Sequence, residues 1–542
     1  MPSLAGAKNM SDVSPTCGQR NPQKLPWWVA PVLALPALIP VIRAYLVYFH
    51  GRVPTGFISS DMPYYMANAR EHFDQGFQLT YGNPYASYGT PAIYFQPQTL
   101  LLGCLQHSGL DPGLALNLFG LAALIFAAYV AVSFYEEVVG LQTQAGLIGL
   151  VCFFWGGGVL CLAGLGYGLL QHQRLLGSML KFDIFDGSWM FNFGRNLSYP
   201  TEAYYHGVFL LSLLCLMRRK FAASIVLAAL LSCSHPFSGL SLALILVAYS
   251  ALELMLRSGT VPPSFLAGSI AILAFHLTYY VWFLNRFPDH RALRSQWELP
   301  WLYSPSTYVP ALLIVGTLAA ARLIRPPGLA QAVKDDRVRL FIVWFLVVFA
   351  LTQHNLIVRP IQPVHFAHGY DWAALFFLGY PVLLLIIDCL LSIRRWQLRY
   401  ATIGVLLTFV LLDNLLWYGR FVFQVRESPS QAISLTYDQK AVLDWLDRNA
   451  KPPDMVVCQD ETVGYLISTY TSVRSWEGHW ANTPEFQERK TEVQQEFLSG
   501  RTLPEWQRMH ILYVNERSNN WTPPLNTVER YQNREFAVWV TQ

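Results

Sequence analysis

The stretch PGLALNLFGLAALIFAAYVAVSFY, residues 112–135, carries no charged side chain. A helix of roughly 20 apolar residues crosses the hydrocarbon core of a bilayer, so this run is long enough to span one. Similar runs recur on either side, at 27–49, 144–169, 203–217, 221–234, 236–256, 263–284, 306–323, 338–353, 371–393 and 400–421, separated by short polar connectors. The pattern predicts a polytopic α-helical membrane protein with about eleven transmembrane helices. Composition agrees: 53% of the 542 residues are hydrophobic and 13% are charged, where soluble domains carry roughly 25% charged residues. The net charge of +4 is small and gives no sign of nucleic-acid binding.

Basic residues orient the spans. The triplet Arg218-Arg219-Lys220, the run Arg322 to Arg339, and Arg394-Arg395 with Arg399 belong on the cytoplasmic side, as do Lys8, Arg20 and Lys24. Segments 51–95, 170–202, 285–305 and 354–370 then face the exoplasm, and so does the C-terminal part. For that parity to hold, PQTLLLGCLQHS at 97–108 must lie in the membrane interface rather than cross. The expected division is a cytoplasmic tail over 1–25, a membrane domain over 26–425 with a first exoplasmic loop over 50–111, and a soluble exoplasmic α/β domain over 426–542. The first residues are polar and the apolar run behind them is long enough to remain an anchor, so a cleaved leader is not expected. Eight cysteines contain no CxxC pair and form no disulfide or zinc framework, which favours a bacterial inner membrane.

The first loop is not featureless. SSDMPYYMANAREHFDQG, residues 59–76, reads as a helix with Asp61 at its N-cap and Pro63 in its first turn. The aromatic, turn-rich YGNPYASYGTPAIYFQPQ follows and is suited to a membrane surface. In the C-terminal domain, helices are expected at 437–449, near 461–470 and at 484–499, with strands at MVVC, RSWEG, ILYVN and FAVWV, which favours a partly parallel sheet.

Four clusters carry candidate chemistry. Asp61 suits a general base or a metal-binding carboxylate at the mouth of a membrane cavity, and it also suits plain helix capping. Glu71, His72 and Asp74 nearby read as solvated loop residues. In NFGRNLSYPTEAYYHG, residues 192–207, Glu202 and His206 stand one helical turn apart and could share a cation or a proton. Arg195 could hold a phosphate, and Asp183 and Asp186 could add carboxylates. The alternative is an ordinary helix start, with Glu202 complementing the dipole. His235, between two short spans, either faces the cavity or simply ends a helix. In QHNLIVRPIQPVHFAHGYDW, residues 353–372, the residues His354, Arg359, His365, His368 and Asp371 form a cation-rich loop that suits a phosphate head group better than a metal. In the soluble domain, Trp476, His479 and Trp480 could stack on or bind a sugar, although packed aromatics are the commoner explanation. The sequons at Asn196 and Asn520 are expected by chance.

Taken together, the N-terminal span, the acid opening the first loop, the many further spans and the C-terminal domain resemble the GT-C superfamily of integral membrane glycosyltransferases. The nearest likeness is to bacterial GT-C-like proteins related to the protein mannosyltransferase and aminoarabinose transferase families. Their C-terminal pattern GYL…YT…GHW…TP…K is similar to the run from Gly464 to Lys490 here. The resemblance covers the whole chain in architecture and residues 57–97, 188–210 and 464–490 in motifs. It implies transfer of a hexosyl or pentosyl unit from a polyprenyl-phosphate-linked sugar donor to an exoplasmic acceptor hydroxyl on a glycan, lipid or protein. The family's catalytic acid maps onto Asp61. Members place a second acid beside it, whereas Met62 follows here, so Glu202 would complete any site for a divalent cation such as magnesium or manganese. On this resemblance Asp61, Glu202 and His206 would be catalytic, and Arg195, Arg359, His365, His368 and His235 would hold the lipid phosphate. Two rival classes are a transporter or flippase of lipid-linked or anionic solutes, which would place charges midway through its spans, and a non-catalytic assembly protein of GT-C shape.

Overall fold

The computed structural model describes residues 25–46, 52–74, 76–141, 143–183, 191–325, 328–423 and 434–542. The basic N-terminal tail and Asp186 lie outside them. Every apolar run is helical: Val29–Ala34 and Ile39–Leu46 joined by a 3-10 turn, Pro112–Val138, Gln144–Trp155 with Leu160–Leu170, Pro200–Met217, Phe221–Ser234, Pro236–Met255, Pro263–Leu277, Pro305–Ile324, Asp336–Thr352, Tyr370–Leu391 and Trp396–Phe423. Among the described residues, seven helices are long and apolar enough to cross a membrane, or eight if the pair 144–155 and 160–170 counts as one span. The count of about eleven is therefore a count of apolar helices rather than of full-length spans.

The expected single span over 144–169 is bent by 62°. Gly156, Gly157 and Gly158 leave no room for side chains there: a Cβ on Gly158 would lie 2.2 Å from the Pro310 carbonyl. The freed N–H groups are taken by Asp413, whose carboxylate accepts from Gly158, Leu160 and Cys161 at 3.1, 3.0 and 2.9 Å. Asp413 sits in the middle of the helix Trp396–Phe423, so a buried charge within the membrane domain is satisfied by the start of a half-helix.

The first loop folds as expected, with helices at Met62–Glu71 and Pro97–His107 packed on each other. Asp111 caps the next span through Gly113 N–H at 2.9 Å. The C-terminal domain holds the helices Tyr437–Asn449, Glu461–Tyr470 and Phe486–Ser499. Among the described residues there are seven strands: β1 (Arg52–Pro54), β2 (Ser434–Thr436), β3 (Met455–Cys458), β4 (Arg474–Ser475), β5 (Ile511–Glu516), β6 (Thr527–Gln532) and β7 (Phe536–Thr541). The larger sheet has the order β4-β3-β5-β7-β6, parallel across β4-β3-β5 and antiparallel beyond, as the partly parallel reading expected.

Two elements are new. β6 carries a mixed, largely exposed pattern that gives little strand signal. The pairing of β1 with β2 joins residues 52–54 to 434–436 and ties the first loop to the C-terminal domain.

That tie is one of many. Arg474 forks onto Glu71 at 3.0 and 2.8 Å and also donates to the Ala86 and Ser87 carbonyls. Thr469 donates to the Pro63 carbonyl and Ser468 to that of Pro84. Glu71, His72 and Asp74 are therefore not solvated loop residues. Glu71 pairs with Arg474, buried His72 bonds Thr99, and Asp74 pairs with Arg70.

Candidate active site

Asp61 occupies the N-cap position of Met62–Glu71, yet its side chain caps nothing. Its Oδ1 instead faces His479 Nε2 at 3.4 Å, across the junction with the C-terminal domain. The Asp61 side chain is 51% exposed, while His479 is buried. Burial by itself would raise the carboxyl pKa. The hydrogen bond and charge of His479, helped by His365, more than reverse this and hold Asp61 below its ordinary value. Tyr64, Tyr85 and Tyr465 ring the His479 imidazole at 5.3, 6.0 and 5.4 Å between centroids.

A second cluster stands beside it. Glu202, in the first turn of Pro200–Met217, accepts from His368 Nδ1 at 2.6 Å. His206, one turn on, points both ring nitrogens at carbonyl oxygens: Nδ1 at Glu202 O, 2.8 Å, and Nε2 at His368 O, 2.7 Å. The Glu202 carboxylate lies 3.9 Å from the same ring. His235 closes the group, its ring 5.4 Å from His368 and stacked on Tyr205 at 4.5 Å.

The loop between 353 and 370 delivers His365 and His368. It is pinned by backbone bonds from Gln362 to Leu299 and from Val364 to Trp301. Gln362 and His368 both adopt positive φ, +43° and +39°, a strain of about 1 kcal/mol or more apiece that the surrounding packing must hold. Gly369 follows at φ +69°, where a Cβ would meet the Asn192 backbone at 2.9 Å. His365 lies between the two clusters. It stacks on Phe237 at 5.0 Å and stands 5.6 Å from the His368 ring. Burial, with the neighbouring His368 adding to it, pushes His365 down to about 4, against the opposing pull of both Asp61 and Glu202. Burial pushes His368 down as well. The loop is therefore less cationic than its composition suggests: these imidazoles are neutral N–H donors, and the charge is Arg359, 89% exposed and only loosely paired with Glu298 at 3.9 Å.

Three expected roles change. Arg195 is fully buried, forks onto Asp183 at 2.7 and 2.8 Å and packs over Trp417, so it is an internal strut rather than a phosphate ligand. Trp476 is a core residue: its indole N–H donates to Glu492, Arg489 lies on its face, and Trp506 packs at its edge. His479 faces Asp61 rather than an open sugar site. Trp480 does stay available, at 42% exposure, beside Trp301 at 5.7 Å. His354 is also structural, accepting from Ile361 N–H, as is Asp371, held by Tyr308 and Trp372 N–H.

For a metal, the only group of three ligand-type side chains with atoms mutually within 4.8 Å among the described residues is Glu202, His235 and His368. Asp61 is not part of it, so the expected Asp61–Glu202 pair does not form such a group. Two imidazoles and one carboxylate suit zinc-like ions rather than magnesium or manganese. As arranged, Glu202 and His368 are bound to each other and His235 to Ser238: His235 Nδ1 accepts from Ser238 N–H at 3.2 Å, which puts its own hydrogen on Nε2. His368 spends Nδ1 on Glu202. This is a hydrogen-bonded network that does not fit magnesium or manganese.

No protein-family model and no curated protein matches this sequence. Solved structures do. The fold is similar to that of an archaeal oligosaccharyltransferase. The Archaeoglobus fulgidus enzyme in its apo form matches 90% of this chain and 69% of its own length, at 13% identity and a TM-score of 0.41. The same organism's AglB, in complex with an inhibitory peptide and a dolichol-phosphate, matches equal shares at 11% identity and a TM-score of 0.43. A complex of the enzyme with zinc and sulfate matches 90% of this chain and 68% of its own, at 12% and 0.41. At identities this low no residue role passes from those structures to this chain.

Proposed function

We propose that this protein is a membrane glycosyltransferase that moves a sugar from a polyprenyl-phosphate-linked donor to an acceptor hydroxyl at the exoplasmic face.

 The observation that supports this reading is Asp61: a helix-start acid that declines to cap its helix, stays half exposed against His479, and lies near enough to His365 to act on it, as Glu202 does.

The chemistry follows from the positions. Asp61 accepts the proton of the acceptor hydroxyl as that oxygen attacks the anomeric carbon of the donor sugar. The new bond is oxygen to anomeric carbon. The bond that breaks joins that carbon to the phosphate oxygen, and the polyprenyl phosphate leaves with the electron pair. Arg359, exposed in the same loop, and the neutral imidazole of His365 supply N–H donors for the departing phosphate, while His368 keeps its N–H on Glu202. Glu202 and His235 hold His368 in its orientation. Trp480 and Trp301 offer aromatic faces for a sugar. No step passes through a divalent ion.

A transporter would need charges available to solute midway through its spans. Asp413 is such a charge by position, but three backbone N–H groups occupy it. The testing experiment uses purified protein in proteoliposomes with a radiolabelled polyprenyl-phosphate sugar. Asp61→Asn is expected to abolish transfer while the thermal transition stays in place. Full transfer by that variant would end the assignment, and absence of transfer by the wild-type protein across a panel of acceptors would favour a non-catalytic assembly protein.

A further inference from the structure

The Asp61–His479 contact joins residues 418 positions apart, one from the first loop and one from the C-terminal domain. The tautomer of His479 is set by its surroundings. Nδ1 receives two N–H donors, the Ala481 backbone at 3.1 Å and the Asn482 side chain at 2.9 Å. A ring nitrogen that accepts carries no proton, so the hydrogen of the neutral ring sits on Nε2, where it donates to Asp61 Oδ1. At 3.4 Å that bond is long, as catalytic hydrogen bonds often are before substrate closes the site.

The turn that carries His479 is clamped from three sides. Trp297 Nε1 donates to the Ala481 carbonyl at 2.7 Å, Gln296 to that of Thr483 at 3.2 Å, and Asn83 to that of Asn482 at 2.8 Å. Gly478 precedes it because a Cβ there would come within 2.4 Å of Tyr85. The donors of this clamp lie in the first loop and in the helix Pro288–Trp297, both outside the C-terminal domain.

We propose that His479 is the positioning residue of the Asp61 base, so that the C-terminal domain completes the active site instead of serving as a separate binding module. This rests on the reading of Asp61 as the base. His479 fixes the carboxylate with one oxygen engaged and the other turned to the acceptor. The remaining titratable groups around Asp61 are His365 from the 353–370 loop, Tyr64 and Tyr65 from its own helix, Tyr199, Tyr465 and Glu202. None of the tyrosines is charged at neutral pH, since burial raises each of them.

The test compares His479→Leu, which removes the donor, with His479→Gln, whose amide N–H can reach the same oxygen. For His479→Leu, kcat is expected to fall by about 10- to 100-fold with KM for the donor nearly unchanged, and the acid limb of the kcat/KM profile to move to higher pH. His479→Gln is expected to recover most of the rate and the wild-type limb. Should His479→Leu fail to fold, Asn482→Ala takes its place; it removes one donor from Nδ1 and should shift the same limb by a smaller amount. An unshifted limb in the folded donor-free variant overturns the inference. Asp61→Asn is assayed alongside: an active Asp61→Asn sinks the base assignment itself, whereas an inactive Asp61→Asn beside a wild-type His479→Leu sinks only the role of His479.

Discussion

Glu71→Gln should loosen the junction that brings the two halves of the site together. The Glu71 and Arg474 side chains are 14% and 5% exposed, and two hydrogen bonds of 3.0 and 2.8 Å join them. Removing one partner of a buried ion pair leaves the other charge uncompensated, at about 3–5 kcal/mol. Arg474 keeps the Ala86 and Ser87 carbonyls at 3.1 and 3.0 Å and its place over Tyr88. Those contacts put the expected loss near the lower end, about 3 kcal/mol. Burial raises the Glu71 pKa despite the opposing pull of Arg474, so the pair does not fully offset its own desolvation. It follows that replacing both, as Glu71→Met with Arg474→Met, should recover more than half of the single-variant loss. The assay is tryptophan-fluorescence thermal unfolding of the purified protein in detergent, with sugar transfer measured in parallel. Glu71→Gln should unfold several degrees lower and transfer more slowly, because Asp61 begins the helix that Glu71 ends. A wild-type transition for Glu71→Gln, or a double variant worse than the sum of the singles, would refute the reasoning.

Asp413→Ala should lower stability by about 3–5 kcal/mol, because three backbone N–H groups lose a charged acceptor, and Asp413→Asn, which keeps one oxygen, should fall between; chemical denaturation in detergent reads both. Trp476→Ala should destabilise the C-terminal domain by about 3–5 kcal/mol, the usual cost of emptying a core aromatic site. Trp480→Ala should leave the thermal transition alone and raise KM for a sugar-bearing substrate several-fold. The pH dependence of transfer follows from Asp61. A base held below its ordinary pKa keeps its activity as pH falls and loses it only in passing the folded value, so the acid limb should lie below the ordinary carboxylate range. Stability has the same sign: the contribution of a depressed carboxyl is present at neutral pH and is lost on acidification through that value.

The membrane architecture was legible because it rests on local composition. A run such as 112–135 has nowhere to go but hydrocarbon or a protein core, and helices formed where the runs lie. Asp61, Pro63 and the periodicity behind them gave the helix of the first loop, and the order of helices and strands gave the partly parallel sheet. The same local rules misplaced the break in 144–170, since three glycines read as apolar filler until Asp413, more than 250 positions away, supplies the acceptor that makes a break stable.

What the sequence determined by itself was which segments enter the membrane and which residue types stand at their ends, because hydrophobicity and capping act within a few residues. What only the tertiary structure decided was which of those residues meet. Asp61 looked like a cap until His479 was found against it, Arg195 looked like a phosphate ligand until Asp183 closed on it, and Trp476 looked like a sugar platform until the domain core covered it. Hydrogen bonds and ion pairs act over about 3 Å in space, whatever the separation along the chain, and that distance is set by packing alone.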